Sequence, residues 1–477
     1  MSRVVNVSNR VLLPGMHHAA GGLGNSLAQV LRDRQSLWFG WNGFVSPVAA
    51  ERADGCYYQG IHYATLCLSP TEYSGYYNGF ANSVLWPALH GMQTASAADP
   101  QHYWTYRLTN RRFARLLQPL LRPDDSIWVH DFHWLPLALE LRLLGVSSRI
   151  GFFFHTPFDW VCNEPTRNTA RAALLQTLRR YDLLAFQTAA DRQRWENYVA
   201  ANHDNCPGPR SIVCPVGVDI DTLQTKAVTT RALRTQPESR WMLGIDRIDP
   251  IKGLSERLHG LRCWLDRSAQ NRERLRFTQV AAATRSSLPA YQALRDQLRH
   301  SAQALNASYG NAHWQPVEWI EHGLPHQKAL QWLARADIAC ITPLRDGMNL
   351  VAKEFVAVQN LADPGVLILS DKAGAANELV AALRIDPTNP QQIAAAIAAA
   401  IDMRLDERRA RMLAMKNALQ KHTLADWYQT LVNTLADTPP TQRSSGNDDS
   451  AGPRGDSAYP DETLVSQPIS VIRSYRG

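Results

Sequence analysis

The chain has 477 residues, 45% of them hydrophobic and 19% charged, which predicts a globular protein of two or three domains. The net charge of +7 comes mostly from arginines that stand singly or in pairs, so no dense basic segment indicates a nucleic-acid-binding protein. No run of about 18 apolar residues predicts a transmembrane helix, and no signal peptide is expected at the first residues.

The cysteines indicate a reducing compartment. Their number is odd and none forms a Cys-x-x-Cys pair, so neither a disulfide framework nor a zinc site is expected. We therefore predict free thiols in a cytoplasmic protein. The seven positions are 56, 67, 162, 206, 214, 263 and 340.

Short apolar runs alternate with helical patterns along the whole chain, which is typical of βαβ units and parallel sheets. The first set of predicted strands covers residues 4–8, 37–41, 127–130, 150–155 and 183–186. The second set covers residues 241–246, 277–281, 317–320, 338–342 and 366–370. The prediction is an α/β fold of two doubly wound, Rossmann-like domains that face each other across a cleft. Ligands of such sheets bind at the carboxyl ends of the strands.

A polar stretch rich in Thr and Arg separates the two sets of strands. We predict an N-terminal domain over residues 1–222, a linker over 223–239 and a C-terminal domain over 240–437. Helices are predicted at 393–401, 407–421 and 424–435, and the last of them are able to pack back on the N-terminal domain. The tail, residues 438–477, is rich in Pro, Gly, Ser and Asp and is expected to be disordered.

A glycine cluster follows the first predicted strand. Gly21, Gly22 and Gly24 surround Leu23, and glycines at a helix start let the backbone approach a diphosphate. The cluster does not match the dinucleotide-binding pattern, and a flexible turn is the simpler interpretation.

Aromatic residues form two groups in the N-terminal half, one around Trp41 and one that runs from Tyr77 to Trp86. Aromatic rings pack against sugar faces, although core packing is their commoner use. Arg10 and Arg285 stand at strand ends and are candidates for binding a phosphate.

Polar residues end two neighbouring predicted strands. His130 and His133 are spaced for a metal, but no further ligands stand nearby, so no metal is predicted. Asp131 is better suited to accept hydrogen bonds from sugar hydroxyls. His155 ends the next strand; a lone buried histidine is usually a core residue, but here a shared pocket with Asp131 is expected.

Two cations follow the first strand of the C-terminal half. Arg247 and Lys252 are spaced to clamp a diphosphate and to neutralise its charge as it leaves. Solvated charges on a surface loop explain the pair equally well.

The segment from residue 342 to 354 is the most informative part of the sequence. Its apolar strand, a sharp turn at Asp346 and Gly347, and helix formers from Met348 onward predict a helix start that attracts phosphate, with Asn349 as its cap. Glu354 follows on the same helical face and could accept the hydroxyls of a ribose. An ordinary strand–turn–helix of an α/β core fits this segment equally well.

Taken in order, these motifs resemble the trehalose-6-phosphate synthase family of retaining glycosyltransferases, over residues 3 to about 435. The resemblance implies a GT-B fold, a nucleotide-glucose donor, most often UDP-glucose, and glucose 6-phosphate as acceptor, with trehalose 6-phosphate as product. No cofactor is implied. Small-molecule substrates are the expected partners, without nucleic acid or membrane, and self-association is left open.

The resemblance also implies residue roles. The predicted catalytic residues are Arg247, Lys252, His155 and Asp131. The predicted donor-binding residues are Gly22, Leu23, Arg247, Lys252, Asp346, Gly347, Met348, Asn349, Leu350, Val351, Ala352, Lys353 and Glu354. The predicted acceptor-binding residues are Arg10, Trp41, Tyr77, Trp86, Asp131 and Arg285.

The sequence departs from the family at a few positions. Pro250 lies in the loop that carries Lys252, and residues 155–159 read His-Thr-Pro-Phe-Asp where the family has His-Ile-Pro-Phe-Pro. Neither change removes a group that the chemistry needs. The alternatives are a relative with another acceptor, such as glycerol 3-phosphate, or a non-catalytic sugar-phosphate sensor.

Overall fold

Two sheets, one in each half of the chain, form the framework of the protein. The computed structural model describes residues 3–15, 22–92, 99–159, 170–201, 208–227 and 239–440. The first sheet contains β1 Val4–Arg10, β2 Ser36–Val45, β3 Asp54–Tyr58, β4 Ile61–Leu68, β5 Ser126–His130, β6 Arg149–Phe153, β7 Leu183–Phe186 and β8 Arg210–Val213. The second contains β9 Arg240–Arg247, β10 Leu275–Ala282, β11 Val317–Ile320, β12 Ile338–Ile341, β13 Val366–Ser370 and β14 Leu383–Ile385.

The helices lie between these strands, as the βαβ pattern requires. They are α1 Leu23–Leu31, α2 Pro70–Glu72, α3 Trp86–Leu89, α4 Pro100–Leu117, α5 Leu137–Leu143, α6 Ala170–Thr177, α7 Ala189–Ala201, α8 Ile220–Ala227, α9 Leu254–Asp266, α10 Pro289–Tyr309, α11 His326–Arg335, α12 Leu350–Val358, α13 Pro390–Asp402, α14 Leu405–Gln420 and α15 Leu424–Ala436. A π-helix spans Tyr73–Leu85, and short 3₁₀ turns include Phe132–Trp134 and Pro250–Lys252. Within the described ranges, none of the helices combines the length and apolarity that a membrane span requires.

The strand orders are those of doubly wound sheets. The first sheet runs β3-β4-β2-β1-β5-β6-β7-β8 and the second β11-β10-β9-β12-β13-β14. Every pair is parallel except β3 with β4. The central strands β1, β5 and β6 are neighbours, as are β10, β9 and β12, so their carboxyl ends bring the loops that follow them together. We call the first sheet with its helices the first lobe and the second the second lobe.

All ten predicted strands are confirmed, with boundaries that differ by a few residues. β3, β4, β8 and β14 were not predicted. β3 is exposed along its whole length, and β8 and β14 have only four and three residues, so their apolar patterns are too weak to read.

The predicted linker begins later in the structure than at residue 223. Residues 223–227 belong to α8, whose Leu223 and Ala227 are four residues apart and are buried with α11 and α12 in the second lobe. Residues 228–238 of the linker lie outside the described residues.

The last helix leaves the second lobe and packs on the first. Leu424, Trp427, Tyr428 and Leu431 of α15 are buried together with residues of β2, β5, β6 and α1. Thr438, which was assigned to the tail, is also buried, and its carbonyl oxygen accepts a hydrogen bond from Arg149. The tail from residue 441 lies outside the described residues.

Candidate active site

The loops at the carboxyl ends of the central strands bring the predicted residues together from both lobes. Trp86 of the first lobe is the clearest meeting point. The guanidinium of Arg285 lies 4.4 Å from its ring centroid and that of Arg247 lies 5.8 Å away. Arg247 ends β9 and Arg285 follows β10, both in the second lobe, so predicted donor and acceptor residues share one cleft.

The turn after β12 forms a capped helix start. Asn349 has a left-handed backbone (φ 74°), and its side-chain oxygen accepts a hydrogen bond from the backbone N–H of Ala352 at 3.1 Å. The predicted cap is therefore present, but α12 begins at Leu350 rather than at Met348, because a left-handed residue cannot continue a right-handed helix. The amides of Leu350 and Val351 remain as the unpaired N–H groups of a helix N-terminus, which attract anions.

Asp346 and Lys252 form an ion pair at this helix start. Their Oδ2 and Nζ atoms are 2.5 Å apart, and each side chain is only 14% exposed. Burial raises the pKa of Asp346, but Lys252 and a hydrogen bond from Asn349 outweigh that effect, so its pKa lies below the usual range. The carboxylate is thus held ionised and oriented beside a cation that was predicted to bind diphosphate.

One carboxylate oxygen of Glu354 has no hydrogen-bond partner among the described residues. Its Oε1 is 2.8 Å from Nε2 of His326, while its Oε2 is buried and has no hydrogen-bond donor among the described residues. Buried polar atoms are nearly always paired, so an unpaired carboxylate oxygen is a feature that a ligand hydroxyl would complete. This fits the predicted contact with a ribose.

Side chains of three other predicted donor residues face the core. Met348 and Ala352 are buried in the second lobe, and Lys353 is completely buried, with its Nζ bonded to the carbonyl oxygen of Val216 and to Glu378. Only backbone atoms of these residues could contact a donor.

Gly347 brings the lobes into backbone contact. A side chain at this position would overlap the carbonyl oxygen of His155, so only glycine allows the turn to lie against the loop after β6. The same two loops are joined by an ion pair of Arg345 with Asp159, at 3.0 Å. Asp159 is one of the departures from the family sequence.

The glycine cluster lies at the start of α1. Gly22 is the residue before the helix, with φ 111°, and Leu23 is the first helical residue. Among the described residues, no atom lies within 4 Å of a Cβ placed at Gly22. Gly21 lies outside the described residues.

Arg10, Trp41 and Tyr77 form a group at the carboxyl end of β1. Arg10 is exposed and its guanidinium lies 5.3 Å from the ring centroid of Trp41. Trp41 in turn packs edge-on against Tyr77, at 5.1 Å between centroids, and its N–H is used by the carbonyl oxygen of Phe44. The indole N–H of Trp41 is therefore already paired, and the residue is 3% exposed.

The π-helix and the residue after it align four side chains of the first lobe, and two of them, Tyr77 and Trp86, are predicted acceptor-binding residues. Tyr73, Tyr77, Asn82 and Trp86 are spaced by four, five and four residues, which places them on one face only because a π-helix winds more residues per turn than an α-helix. π-Helical segments are frequent at functional sites. Asn82 accepts a hydrogen bond from Arg285 at 2.9 Å.

Arg285 is held by a second set of partners from its own lobe. Its Nη1 donates to Asp249 at 2.7 Å and to the hydroxyl of Tyr291 at 2.5 Å. Burial raises the pKa of Asp249, but Arg285 and Arg247 outweigh it, so its pKa falls below the usual range. Among the described residues these bonds use Nε and Nη1 of Arg285 and none uses Nη2, which is the atom open to the predicted phosphate.

Asp131 and His155 meet at the ends of β5 and β6. Oδ1 of Asp131 accepts hydrogen bonds from the backbone N–H groups of His155 and Thr156, at 3.2 and 3.3 Å. Burial raises the pKa of Asp131 to about 6, although these hydrogen bonds oppose the shift. Burial also lowers the pKa of His155 well below its usual value, so its ring is neutral at pH 7.

Three residues that were not predicted from the sequence contact predicted site residues: Asn82, Asp249 and His326. Asp249 stands between Arg247 and Lys252 in the sequence, so a carboxylate among these cations was readable from the sequence. Asn82 needed the π-helical spacing, and His326 has no local signal. Within the described ranges, no group of three or more His, Cys, Asp or Glu side chains is arranged to hold a metal ion.

Known proteins of similar sequence and fold share names that refer to one activity. A trehalose-6-phosphate synthase from Sodalis glossinidius is 35% identical over 465 residues, 92% of this chain and 97% of that protein. An alpha,alpha-trehalose-phosphate synthase (UDP-forming) from Burkholderia xenovorans, solved in complex with glucose-6-phosphate, has a TM-score of 0.83 at 34% identity, covering 91% of this chain and 100% of that one. An E. coli structure bound with UDP-2-fluoro glucose has a TM-score of 0.83 at 34% identity, covering 91% and 99%.

The fold and the cleft between its lobes are those of a GT-B glycosyltransferase. The sequence profile of Glycosyltransferase family 20 matches residues 13–437. The chain belongs to this family.

Proposed function

We propose that the protein transfers glucose, with retention of configuration, from UDP-glucose to glucose 6-phosphate, giving α,α-trehalose 6-phosphate and UDP. The observation that carries the proposal is the convergence on Trp86 of Arg247 and Arg285, one predicted for each substrate. The ligands of the two solved neighbours, UDP-2-fluoro glucose and glucose-6-phosphate, support the same pair of substrates. The seven cysteines, an odd number, favour a cytoplasmic location.

The donor is proposed to lie against the second lobe. Its diphosphate meets the amides of Leu350 and Val351 together with Arg247 and Lys252, since a helix start and two cations all favour anions. Its ribose is proposed to satisfy Oε2 of Glu354. Lys252 then exchanges part of its contact with Asp346 for the diphosphate, which frees the Asp346 carboxylate for glucose hydroxyls.

The acceptor is proposed to lie against the first lobe. Its phosphate is held by Arg10, Tyr77 and the remaining Nη2 of Arg285. Oδ1 of Asp131 accepts hydrogen bonds from the backbone after β6, so Oδ2 is proposed to orient an acceptor hydroxyl. The Trp41 and Trp86 rings contribute apolar faces.

The reaction is proposed to proceed on one face of the transferred glucose. As the bond from the anomeric carbon to the diphosphate breaks, the acceptor hydroxyl attacks from the same side and its proton passes to the departing phosphate oxygen. The protein supplies orientation and charge stabilisation. Loss of Arg247 should cost about 2–4 kcal/mol of transition-state stabilisation, the range seen for single electrostatic donors.

The test mixes purified protein with UDP-glucose and glucose 6-phosphate, follows UDP release and identifies the disaccharide phosphate by mass. Stable isotope labelling of the donor, read by NMR of the product linkage, reports the configuration. UDP release only with glycerol 3-phosphate would overturn the acceptor, and no release with UDP-, ADP- or GDP-glucose would overturn the activity. An Arg247→Ala variant with unchanged turnover would contradict the role of the diphosphate clamp.

A further inference from the structure

A chain of four hydrogen-bonded side chains runs from the cleft into the interior of the first lobe. Nε2 of His155 lies 3.2 Å from Nδ1 of His130, and Nε2 of His130 lies 3.3 Å from Oδ1 of Asn6. Nδ2 of Asn6 donates to the hydroxyl of Tyr428 at 3.2 Å. These residues come from the loop after β6, the end of β5, the middle of β1 and α15.

The chain is shielded from water everywhere except at the cleft. His130 and Asn6 have no exposed surface and Tyr428 is 2% exposed, whereas His155 is partly exposed. The rings of Phe153 and Trp427 line it, at 4.4 and 6.2 Å from the ring of His155. Water therefore reaches the chain only at His155, and the inner links are made between side chains.

All four groups are uncharged at neutral pH. Burial lowers the pKa of His130 to about 3 and lowers that of His155 well below its usual value, with a smaller contribution from His130. Burial raises the pKa of Tyr428 to about 12. Each neutral imidazole therefore has one N–H group and one nitrogen lone pair. If one ring nitrogen donates a hydrogen bond, the other can only accept one.

The direction of the chain follows from Asn6. Because its amide nitrogen donates to Tyr428, its oxygen accepts the N–H on Nε2 of His130. Nδ1 of His130 then has a lone pair and accepts the N–H on Nε2 of His155. His155 is left with a lone pair on Nδ1, the nitrogen that His130 does not use.

We propose that Tyr428, Asn6 and His130 are positioning residues that hold His155 in the Nε2-protonated tautomer, so that its Nδ1 accepts a hydrogen bond from a hydroxyl of the transferred glucose. This inference rests on the proposed function for the identity of the sugar. The proposal gives α15 a role in the site. This helix follows the second lobe in the sequence, but the hydroxyl of its Tyr428 determines which nitrogen of His155 in the first lobe carries the proton.

The chain is tested by reading the tautomer of His155 in full-length protein labelled with ¹⁵N-histidine, with the His155→Gln variant used for assignment. We expect Nε2–H in the wild type. Tyr428→Phe removes only the hydroxyl that orients Asn6, so we expect a mixture of tautomers there.

Kinetics provide the second readout. Tyr428→Phe should lower kcat about three- to tenfold, the value of one neutral hydrogen bond, with the KM for glucose 6-phosphate unchanged. Tyr181→Phe is the matched control, because it removes another buried tyrosine hydroxyl of the first lobe, one that donates to the carbonyl of Trp134. It should leave the His155 tautomer and kcat unchanged.

An Nδ1–H tautomer in the wild type would overturn the proposal, as would a tautomer and kcat that Tyr428→Phe leaves unaltered. A loss of thermal stability in Tyr428→Phe without either change would assign Tyr428 to packing alone and also overturn it. The tautomer is measured without substrate. If the wild type forms no disaccharide phosphate, the proposed function fails while the hydrogen-bond chain is still tested.

Discussion

Replacing Lys353 by methionine asks whether this residue of the predicted donor segment binds substrate or holds the lobes together. Its ammonium has no exposed surface and donates to the carbonyl oxygen of Val216 at 2.6 Å and to Oε1 of Glu378 at 2.7 Å. Val216 lies between β8 and α8, in the segment that leads from the first lobe to the second. The side chain thus fastens α12 to this connection.

The expected loss of folding stability comes from the two groups that would lose their contact with the lysine ammonium. Methionine matches the volume of the lysine stem, so little cavity forms. The carbonyl of Val216 and the carboxylate of Glu378 would lose their cation. The Glu378 side chain is 12% exposed, and its Oε2 has no hydrogen-bond partner in the part of the chain that the structure describes. Breaking a buried ion pair from one side costs about 3–5 kcal/mol, a large share of the roughly 5–15 kcal/mol that stabilises a typical protein.

The assay compares denaturant midpoints of wild type and variants by far-UV circular dichroism. Lys353→Met should move the midpoint to much lower denaturant. The double variant with Glu378→Leu should recover most of the loss, because replacing both partners by apolar groups removes the orphaned charge. Lys372→Met, at a lysine 45% exposed, is the matched control and should change stability by less than about 0.5 kcal/mol.

The opposite pattern would refute this reasoning. If Lys353→Met keeps the wild-type midpoint while the KM for UDP-glucose rises tenfold or more, the ammonium acts on the donor rather than on the fold. The expected result is an unchanged donor KM at a temperature where the variant remains folded.

Three further predictions concern the cleft. Gly347→Ala should lower transfer at least about tenfold, because a Cβ overlaps the carbonyl oxygen of His155 and forces the two loops apart. Glu354→Gln should raise the KM for UDP-glucose about tenfold and leave that for glucose 6-phosphate unchanged, because the amide cannot offer a second acceptor. The pKa of Asp131 is raised to about 6, so the folded state binds its proton more tightly than the unfolded state; stability from this group is complete below about pH 4 and is lost as the pH rises through 6. The melting temperature of the wild type relative to Asp131→Asn should therefore fall between pH 4.5 and 7.

Each of these three has a control. Gly24→Ala adds a carbon that meets only ordinary contacts, the nearest being 3.6 Å away on Leu12, so equal losses in both glycine variants would remove the steric argument. For Glu354→Gln, a donor without ribose hydroxyls should show no further loss; a full additional loss would separate Glu354 from the ribose. A melting difference for Asp131 that stays constant with pH would contradict the raised pKa.

Most strands of the fold could be predicted from local sequence patterns. The ten predicted strands were readable because strands of parallel sheets are buried on both faces and appear as continuous apolar runs. β3 was not predicted because its residues are all exposed. Residues 223–227 of α8 were assigned to the linker because the short apolar pattern of this helix lies in a polar stretch. The site residues were readable in type, since Arg247, Lys252 and Asp346 follow predicted strands.

The sequence by itself determined the α/β class, the two sets of strands and the capped helix start at Asn349, because these depend on residues close together in the chain. Only the tertiary structure decided that Lys353 points into the core, that a π-helix aligns Asn82 with Trp86, and that Tyr428 reaches Asn6. Those outcomes depend on groups up to 422 residues apart. Burial determines them: a polar atom removed from water must find a partner wherever the packed fold brings one, and no local pattern records that choice.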